Sequence, residues 1–378
     1  MKFNVGLYQL NDNVNYNFQL NRLINWDGGD LYEIKSISEK IKTNLDWKNE
    51  LIKLADKALK EERIKNAIAY YRMSEFFMAD SDADKLRYYK KAKDLFYGYY
   101  DEFFKGGNVV RKYVPFENMK LPVLYAKSEN EKKGTIIFHG GNDSYLEELF
   151  FPMLYFSKYG YDVYLFEGPG QGGVLREQGI KFTYRWELPV GALLDYFGLE
   201  DVIIVGVSLG GMLAPRAAAF EKRIKKIVAW SIFPNFLDVA LYDLNRSLKI
   251  FFKFLLKIKG KHLINYAISK RMKKDVFYRW VFEHGMYAYG AKSPYDYINK
   301  LNDFQITNIA DRIDQDILIL HGMRDHFIDW HLYKDEIDNL VHAKSISLRL
   351  FTEKEEASDH CQCGNTKLAL DTILKWLM

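Results

Sequence analysis

This chain has little cysteine, no long apolar run and almost no excess of charge. Its two cysteines, Cys361 and Cys363, are one residue apart, which matches neither a disulfide framework nor a paired CxxC zinc pattern. We therefore expect reduced thiols in a cytoplasmic protein, with no metal and no cofactor. No segment offers the roughly 18 uncharged apolar residues of a membrane span. Stable membrane insertion is therefore not expected.

The charge balance excludes one class of partner. Lys and Arg number 54 against 50 Asp and Glu, so the formal net charge of the 378-residue chain is only +4. This balance is too small to indicate nucleic-acid binding. Residues 1–12 reach polar side chains before an apolar stretch of signal-peptide length can form, so secretion is not expected either.

The first third of the chain has the apolar spacing of helices. Apolar residues recur every three or four positions over 47–58, 64–71 and 86–96, and no convincing strand precedes Gly106. We interpret residues 1–111 as an N-terminal helical cap.

Short β-branched runs separated by glycines and helical stretches follow. This pattern is typical of a mostly parallel sheet flanked by crossover helices, an α/β fold. The predicted strands are 135–138, 163–166, 202–205, 227–230, 317–320 and 346–351. The long, helix-patterned interruption between the fourth and fifth strands predicts an inserted helical lid over 234–308. The core then comprises 112–233 and 309–378.

Within this insertion, lysines recur at every fourth position between apolar residues. They are Lys249, Lys253, Lys257 and Lys261. This spacing predicts either a lid helix over an apolar substrate or a packed helix with a solvated lysine stripe. A membrane-surface helix is the less favoured alternative, because such helices usually balance their two faces more evenly.

A serine lies between glycines directly after a predicted strand. Gly206-Val207-Ser208-Leu209-Gly210 follows residues 202–205 and precedes a helical pattern. Strand, sharp turn and helix form the context of the nucleophile elbow of the α/β-hydrolase fold, where glycines allow a strained turn that exposes the serine hydroxyl. The alternative is an ordinary glycine-rich turn, but the flanking elements favour Ser208 as a nucleophile.

The same fold needs two backbone donors for an oxyanion. One comes from the residue after the nucleophile, here Leu209, and the other from the loop after an earlier strand. His139-Gly140-Gly141-Asn142 follows the strand 135–138, so Gly141 or Asn142 is the second donor. We interpret His139 itself as structural.

Chain order in this fold is serine, acid, histidine. Asp325 follows the strand 317–320 and is the predicted acid, with Asp329 and Asp316 as weaker rivals. For both the acid and the base, the alternative is a solvated loop residue.

The predicted base is His360. It follows the last strand in a glycine-bounded loop. His326 and His331 lie on the acid's own loop, whereas His342 precedes the last strand and should fall at the opposite edge of the sheet.

Four segments resemble one group of α/β-hydrolases. They are 166–172 (FEGPGQG), 186–187 (WE), 209–216 (LGGMLAPR) and 359–362 (DHCQ). They are similar to 2,6-dihydroxypseudooxynicotine hydrolase and fungal polyketide-shortening pigment hydrolases, whose bacterial relatives are often named acylaminoacyl-peptidase-like or dipeptidyl-aminopeptidase-like. The resemblance implies a Ser208, Asp325 and His360 triad beneath helical caps.

The resemblance also bears on two glutamates. Acidic residues that members carry after the oxyanion loop fall on Glu147 and Glu148, which makes Glu148 a candidate substrate-site residue. A helix-first-turn glutamate is the alternative.

These features predict a serine hydrolase that cleaves an ester, amide or activated carbon–carbon bond through an acyl-enzyme. The substrate would be a small, apolar molecule or a short peptide. One alternative is an acyltransferase with the same triad, and another is a non-catalytic binding protein that keeps the fold. A homodimer is compatible with the sequence.

Overall fold

A computed structural model describes residues 3–241 and 244–378, and in this part of the chain eight strands form one sheet. The strands are β1 Val109–Phe116, β2 Met119–Ala126, β3 Gly134–His139, β4 Tyr161–Phe166, β5 Val202–Val207, β6 Ile224–Trp230, β7 Asp316–Gly322 and β8 Ser345–Phe351. Their order across the sheet is β1-β2-β4-β3-β5-β6-β7-β8. The pairs from β4 to β8 are parallel, whereas β2 pairs antiparallel with both β1 and β4.

Both faces of the inner parallel strands are buried, whereas the edge strand β8 is mostly half-buried. In β7, Ile317 and Ile319 belong to one apolar cluster, while Leu318 and Leu320 belong to another. Successive strand side chains point to opposite faces of a sheet, so the two clusters lie on its two sides. Strands covered on both sides need continuously apolar sequences, and this is why the sequence pattern identified them.

The antiparallel hairpin of β1 and β2 was missing from the sequence prediction. Arg111 and Lys112 interrupt the apolar pattern of β1. Each strand also contains a proline, Pro115 in β1 and Pro122 in β2. Proline is tolerated at Pro115 because β1 is an edge strand that pairs only with β2. A polar, proline-containing edge strand carries too weak a pattern to be recognised.

Helices cover the chain before β1. They are α1 Val14–Arg22, α2 Leu31–Ser38, α3 Asn44–Lys60, α4 Ile64–Ser74, α5 Ala83–Tyr99 and α6 Asp101–Lys105. Trp47 anchors this region, because it is fully buried and its indole N–H donates to the Met73 carbonyl at 2.8 Å. The segment before α1 reaches the far end of the chain, where the Gly6 N–H donates to the Gly364 carbonyl at 2.9 Å.

Further helices flank the sheet or lie between β6 and β7. The flanking ones are α7 Phe150–Lys158, α8 Gly172–Arg176, α9 Glu187–Phe197, α10 Gly210–Phe220, α16 Tyr333–Asn339 and α17 Thr366–Leu377. Those between β6 and β7 are α11 Phe236–Ala240, α12 Arg246–Lys257, α13 Lys261–Met272, α14 Val276–Ala288 and α15 Pro294–Leu301. None of the helices in the described ranges is long and apolar enough to span a bilayer.

Candidate active site

Ser208 occupies a strained turn at the carboxyl end of β5. Its φ is +63°, a left-handed value that non-glycine residues seldom adopt, and α10 begins two residues later. The turn closes so tightly that a Cβ at Gly206 would lie 2.1 Å from the Gly210 carbonyl oxygen. Glycine is therefore required at position 206, and the turn presents the Ser208 hydroxyl at the edge of the sheet.

Three side chains from three loops form a hydrogen-bonded row. The Ser208 Oγ is 2.9 Å from His360 Nε2, and His360 Nδ1 is 2.6 Å from Asp325 Oδ2. An ionised carboxylate can only accept, so Nδ1 carries the proton and Nε2 is free to accept from the hydroxyl. This arrangement can withdraw a proton from the serine.

The electrostatics keep Asp325 ionised. Burial opposes its charge, but the His360 imidazole outweighs burial and lowers the pKa of Asp325 to about 2. The N–H groups of Phe327 and Ile328 donate to its other oxygen at 2.9 and 3.1 Å. Conversely, burial lowers the pKa of His360, but the Asp325 charge prevails and raises that pKa well above its ordinary value.

The His360 loop has a shape that the sequence did not reveal. Cys361 and Gln362 both adopt left-handed φ values, of 51° and 52°. The Gln362 Oε1 accepts a 2.6 Å hydrogen bond from the Trp230 indole N–H, which ties the loop to the end of β6. Two consecutive strained residues need such an anchor, and this one fixes the position of the imidazole.

Two unpaired backbone N–H groups lie beside Ser208. Within the described residues, the N–H groups of Leu209 and Asn142 have no hydrogen-bond acceptor, while the Gly141 N–H donates to Ser144 Oγ at 3.1 Å. A Cβ at Gly141 would be 2.6 Å from the Leu209 nitrogen, so the two loops are in close contact. Of the two predicted second donors, Asn142 therefore has the available N–H.

His139 lies behind this loop rather than in front of it. It is fully buried, its Nδ1 is 2.9 Å from the Gly140 carbonyl oxygen, and its ring packs on Trp186. Burial lowers the pKa of His139 to about 4, so the ring is neutral. This environment supports a structural role.

The rival acids and bases lie elsewhere. Asp316 is at the opposite end of β7, where it binds Ser345 at 2.6 Å, and Asp329 binds His331 at 2.7 Å. His342 precedes β8, with its Nδ1 2.7 Å from the Asp311 carbonyl oxygen, and so lies at the amino ends of the strands, opposite the acid and base loops. His326 does line the cavity beside His360, with its ring 5.1 Å from that of Phe18.

Glu148 forms a buried ion cluster with two arginines of the N-terminal helices. Its side chain is fully buried, one oxygen binds Arg22 Nε, and the other lies 2.7 Å from an Arg72 nitrogen. Burial disfavours its charge, but the two guanidinium groups prevail and lower the pKa of Glu148. Arg22 lines the cavity, whereas Glu148 lies behind it. Glu147 does not line the cavity either.

This cluster gives a first prediction. Glu148→Gln should lower the free energy of unfolding by about 3 kcal/mol, because two largely buried guanidinium groups lose their counter-charge. Chemical denaturation measures this loss. Glu353→Gln is the control: it breaks an exposed ion pair with Arg324 and should cost less than about 1 kcal/mol. A changed KM with unchanged stability would instead indicate that Glu148 contacts the substrate.

A cavity of about 550 Å³ opens above Ser208. Aromatic side chains from the N-terminal helical region and from the β6–β7 insertion line it. Among them are Phe18, Phe76, Phe236, Phe252, Trp280 and Tyr297. The cavity is therefore suited to a small, apolar or aromatic molecule.

A charged group in this cavity was not found from the sequence. His284 on α14 lies between two carboxylates, with Nε2 3.0 Å from Asp143 and Nδ1 3.0 Å from Asp80. Burial lowers the pKa of His284, but the carboxylates prevail and raise it, which favours the doubly protonated ring. These residues are far apart in the chain, so no local motif marks them. His284 thus ties the insertion to the loop after β3.

Comparison with known proteins places these features in context. A family model described as "alpha/beta hydrolase fold" matches residues 136–362. Alpha/beta hydrolase ucsC of an Acremonium species is 29% identical over 232 residues, covering 56% of this chain and 44% of the relative. Hydrolase acrC of Aspergillus aculeatus is 28% identical, covering 65% and 63%, and 20-hydroxy-prefusarin hydrolase FUS2 of Gibberella moniliformis is 28% identical, covering 52% and 47%. The chain thus spans roughly half the length of these relatives.

Two solved structures share the fold over nearly the whole chain. The 2,6-dihydroxy-pseudo-oxynicotine hydrolase superposes with a TM-score of 0.67 at 18% identity, covering 94% of both chains. AbyA5 superposes with a TM-score of 0.65 at 13% identity, covering 92% of this chain and 88% of its own. Both coverages include the helices outside the sheet core.

Proposed function

This chain belongs to the α/β-hydrolase fold family, and on that basis we propose that it is a serine hydrolase working through an acyl-enzyme on Ser208. The observation that carries the proposal is the hydrogen-bonded row of Ser208, His360 and Asp325. A serine hydroxyl is a poor nucleophile unless a base lies within hydrogen-bonding distance and a third group orients that base. The row meets both conditions.

In the first half of the reaction, Ser208 Oγ attacks the substrate carbonyl carbon and its proton passes to His360 Nε2. Asp325 holds the imidazole in the required tautomer and stabilises the imidazolium. The N–H groups of Leu209 and Asn142 receive the oxyanion, since they are unpaired within the described residues. His360 then gives the proton to the leaving oxygen, nitrogen or carbon, and an ester on Ser208 remains.

In the second half, water attacks this ester. His360 takes a proton from the water and returns it to Ser208 Oγ, which releases the acid product. The same machinery serves an ester, an amide or an activated carbon–carbon bond, because each presents a carbonyl carbon and a leaving group that His360 can protonate.

The cavity supports a small, apolar or aromatic substrate. A space of about 550 Å³ is large enough for a drug-sized molecule, and aromatic side chains form much of its wall. Two similar proteins are named as hydrolases of 20-hydroxy-prefusarin and of 2,6-dihydroxy-pseudo-oxynicotine. For this chain we propose only a small molecule with a carbonyl carbon that Ser208 can attack.

A fluorophosphonate probe tests the nucleophile. The wild type should be labelled on Ser208, and Ser208→Ala should not be labelled at all. Ser231→Ala is the matched control, because this buried serine lies near the site but its hydroxyl faces His321 at 3.4 Å. Equal labelling of wild type and Ser208→Ala would refute the assignment. In a separate assay, turnover of aryl esters, N-acyl amino acids and β-diketones by the wild type identifies which type of bond is cleaved.

The pKa values of the row predict the pH dependence. Activity requires neutral His360, so kcat/KM should rise with pH as this group loses its proton. Asp325 raises the pKa of His360, and Asp325→Asn should therefore move the acid limb to lower pH while lowering the maximal rate. The pH profile of kcat/KM measures both effects.

The control for this profile is Asp359→Asn. Burial raises the pKa of Asp359 to about 6, and this carboxyl directly precedes His360 in the chain. Replacing Asp359 should shift the acid limb of the kcat/KM profile less than Asp325→Asn does. Of the two carboxylates, Asp325 is the one hydrogen-bonded to the imidazole. A larger shift with Asp359→Asn would contradict the assignment of the acid.

A further inference from the structure

Positive charge is concentrated in one short segment of the chain. Residues 244–276 contain ten Lys or Arg and one Asp, a net charge of +9, although the whole chain carries only +4. The remaining residues therefore carry a net charge of −5. Nine of the ten cations have exposed side chains: Arg246, Lys253, Lys257, Lys259, Lys261, Lys270, Arg271, Lys273 and Lys274.

The same segment exposes large apolar side chains. On α12, Ile250, Phe251 and Phe254 are 61%, 55% and 53% exposed, and on α13, Leu263 and Tyr266 are 61% and 69% exposed. The sequence favours either a lid helix or a packed helix that exposes only its lysine stripe, with a membrane-surface helix as the less favoured alternative. In the structure, only the side that carries Phe252, Leu255 and Leu256 packs on the protein, and Phe252 lines the cavity.

We infer that α12 and α13 form a docking surface for membranes that carry anionic phospholipid headgroups. A helix that lies in a membrane interface combines exposed bulky apolar side chains with lysine and arginine on its flanks, and both occur here. Anionic headgroups supply the opposite charge. The inference goes beyond the proposed hydrolysis, because binding needs no turnover.

The positive charge of this surface favours an anionic membrane over a second copy of the chain as its occupant. A symmetric dimer through this face would bring two segments of net charge +9 together, which is strongly repulsive. An acidic protein would complement the lysines. It is less suited to three neighbouring apolar side chains on one side of α12, which fit the boundary between headgroups and acyl chains.

Co-sedimentation of the full chain with vesicles tests the inference. One vesicle contains phosphatidylcholine alone, and the other contains equal parts of phosphatidylcholine and phosphatidylglycerol. We expect binding to the mixed vesicles that is at least about tenfold stronger and that weakens with added salt. Equal binding to both vesicles, or no binding to either, would overturn the inference.

Two double variants test whether the exposed apolar side chains and the lysines of this surface bind the vesicles. Phe251→Ser with Phe254→Ser, and Lys257→Glu with Lys261→Glu, should each weaken binding to mixed vesicles at least about tenfold. Lys40→Glu with Lys60→Glu changes the net charge of the chain by the same amount on exposed lysines of the N-terminal region. If this control weakens binding as much as the Lys257→Glu, Lys261→Glu variant, total charge rather than this surface is responsible, and the inference fails.

Two further measurements identify other occupants. If light scattering shows a wild-type dimer that becomes a monomer in the Phe251→Ser, Phe254→Ser variant, the face binds a second copy. If the chain binds polyglutamate but no vesicle, the face suits an acidic protein. Either result overturns the inference, and neither bears on hydrolysis, because all these assays are read without substrate.

Discussion

Ser208→Ala is expected to lower kcat by about 10⁵-fold, because removal of the nucleophile leaves only binding and oxyanion stabilisation. His360→Ala should lower kcat by about as much, since a serine hydroxyl that keeps its proton is a poor nucleophile. The double variant should lose no more than either single variant, because the two residues act as one unit. Steady-state kinetics on a substrate turned over by the wild type measures all three values.

Residual activity would separate this mechanism from others. Ser231→Ala should retain kcat within about tenfold, since its hydroxyl does not reach His360. If Ser208→Ala kept more than about one per cent of wild-type kcat while remaining folded, hydrolysis would not pass through a Ser208 ester. Losses of Ser208 and His360 that multiplied in the double variant would likewise show that they act independently.

The second large effect is expected at Gly141. A Cβ at this position would lie 2.6 Å from the Leu209 nitrogen, 2.7 Å from the Val207 carbonyl oxygen and 2.8 Å from Ser208 Cβ. These atoms are backbone or adjoin it, so the oxyanion loop must move away from the serine. Gly141→Ala should therefore lower kcat by about 10²-fold to 10³-fold, the usual cost of losing one oxyanion donor.

Gly98→Ala provides the matched control. Gly98 lies within α5, and a Cβ there would meet nothing within 4 Å. This variant should keep wild-type kcat and gain about 0.5–1 kcal/mol of stability, because alanine favours the helix. Thermal denaturation of both variants shows whether the loss at Gly141 reflects the site or unfolding. Wild-type kcat in Gly141→Ala would contradict the close approach of the two loops.

Chain order and local pattern were sufficient to select Ser208, Asp325 and His360 from many serines, acids and histidines. Ser208 and Asp325 follow strands with apolar runs, and His360 follows the alternating strand β8. Parallel strands bring their carboxyl ends to one edge of the sheet. In the structure, His360 is within hydrogen-bonding distance of both Ser208 and Asp325. Their catalytic roles stay predictions that the kinetics above would test.

Other features depend on contacts that local pattern does not encode. Arg22 and His284 reach the cavity from helices far apart in the chain, and their partners Glu148 and Asp143 are on the loop after β3 and its following turn. The exposed apolar side of α12 also has the same residue types as a buried helix face, so the local sequence does not distinguish the two. Such features are decided by tertiary packing.

The N-terminal segment contacts the site or its supports in three places. Gly6 bonds to Gly364, Arg22 holds Glu148, and the Phe18 ring lies 6.0 Å from the His360 ring. The helical cap and the sheet core are thus not interchangeable modules. A chain truncated to begin at β1 would lose one wall of the cavity and a support of the His360 loop, and a grafted foreign cap would have to rebuild both. Any change of the cavity therefore has to treat the first 30 residues as part of the proposed active site.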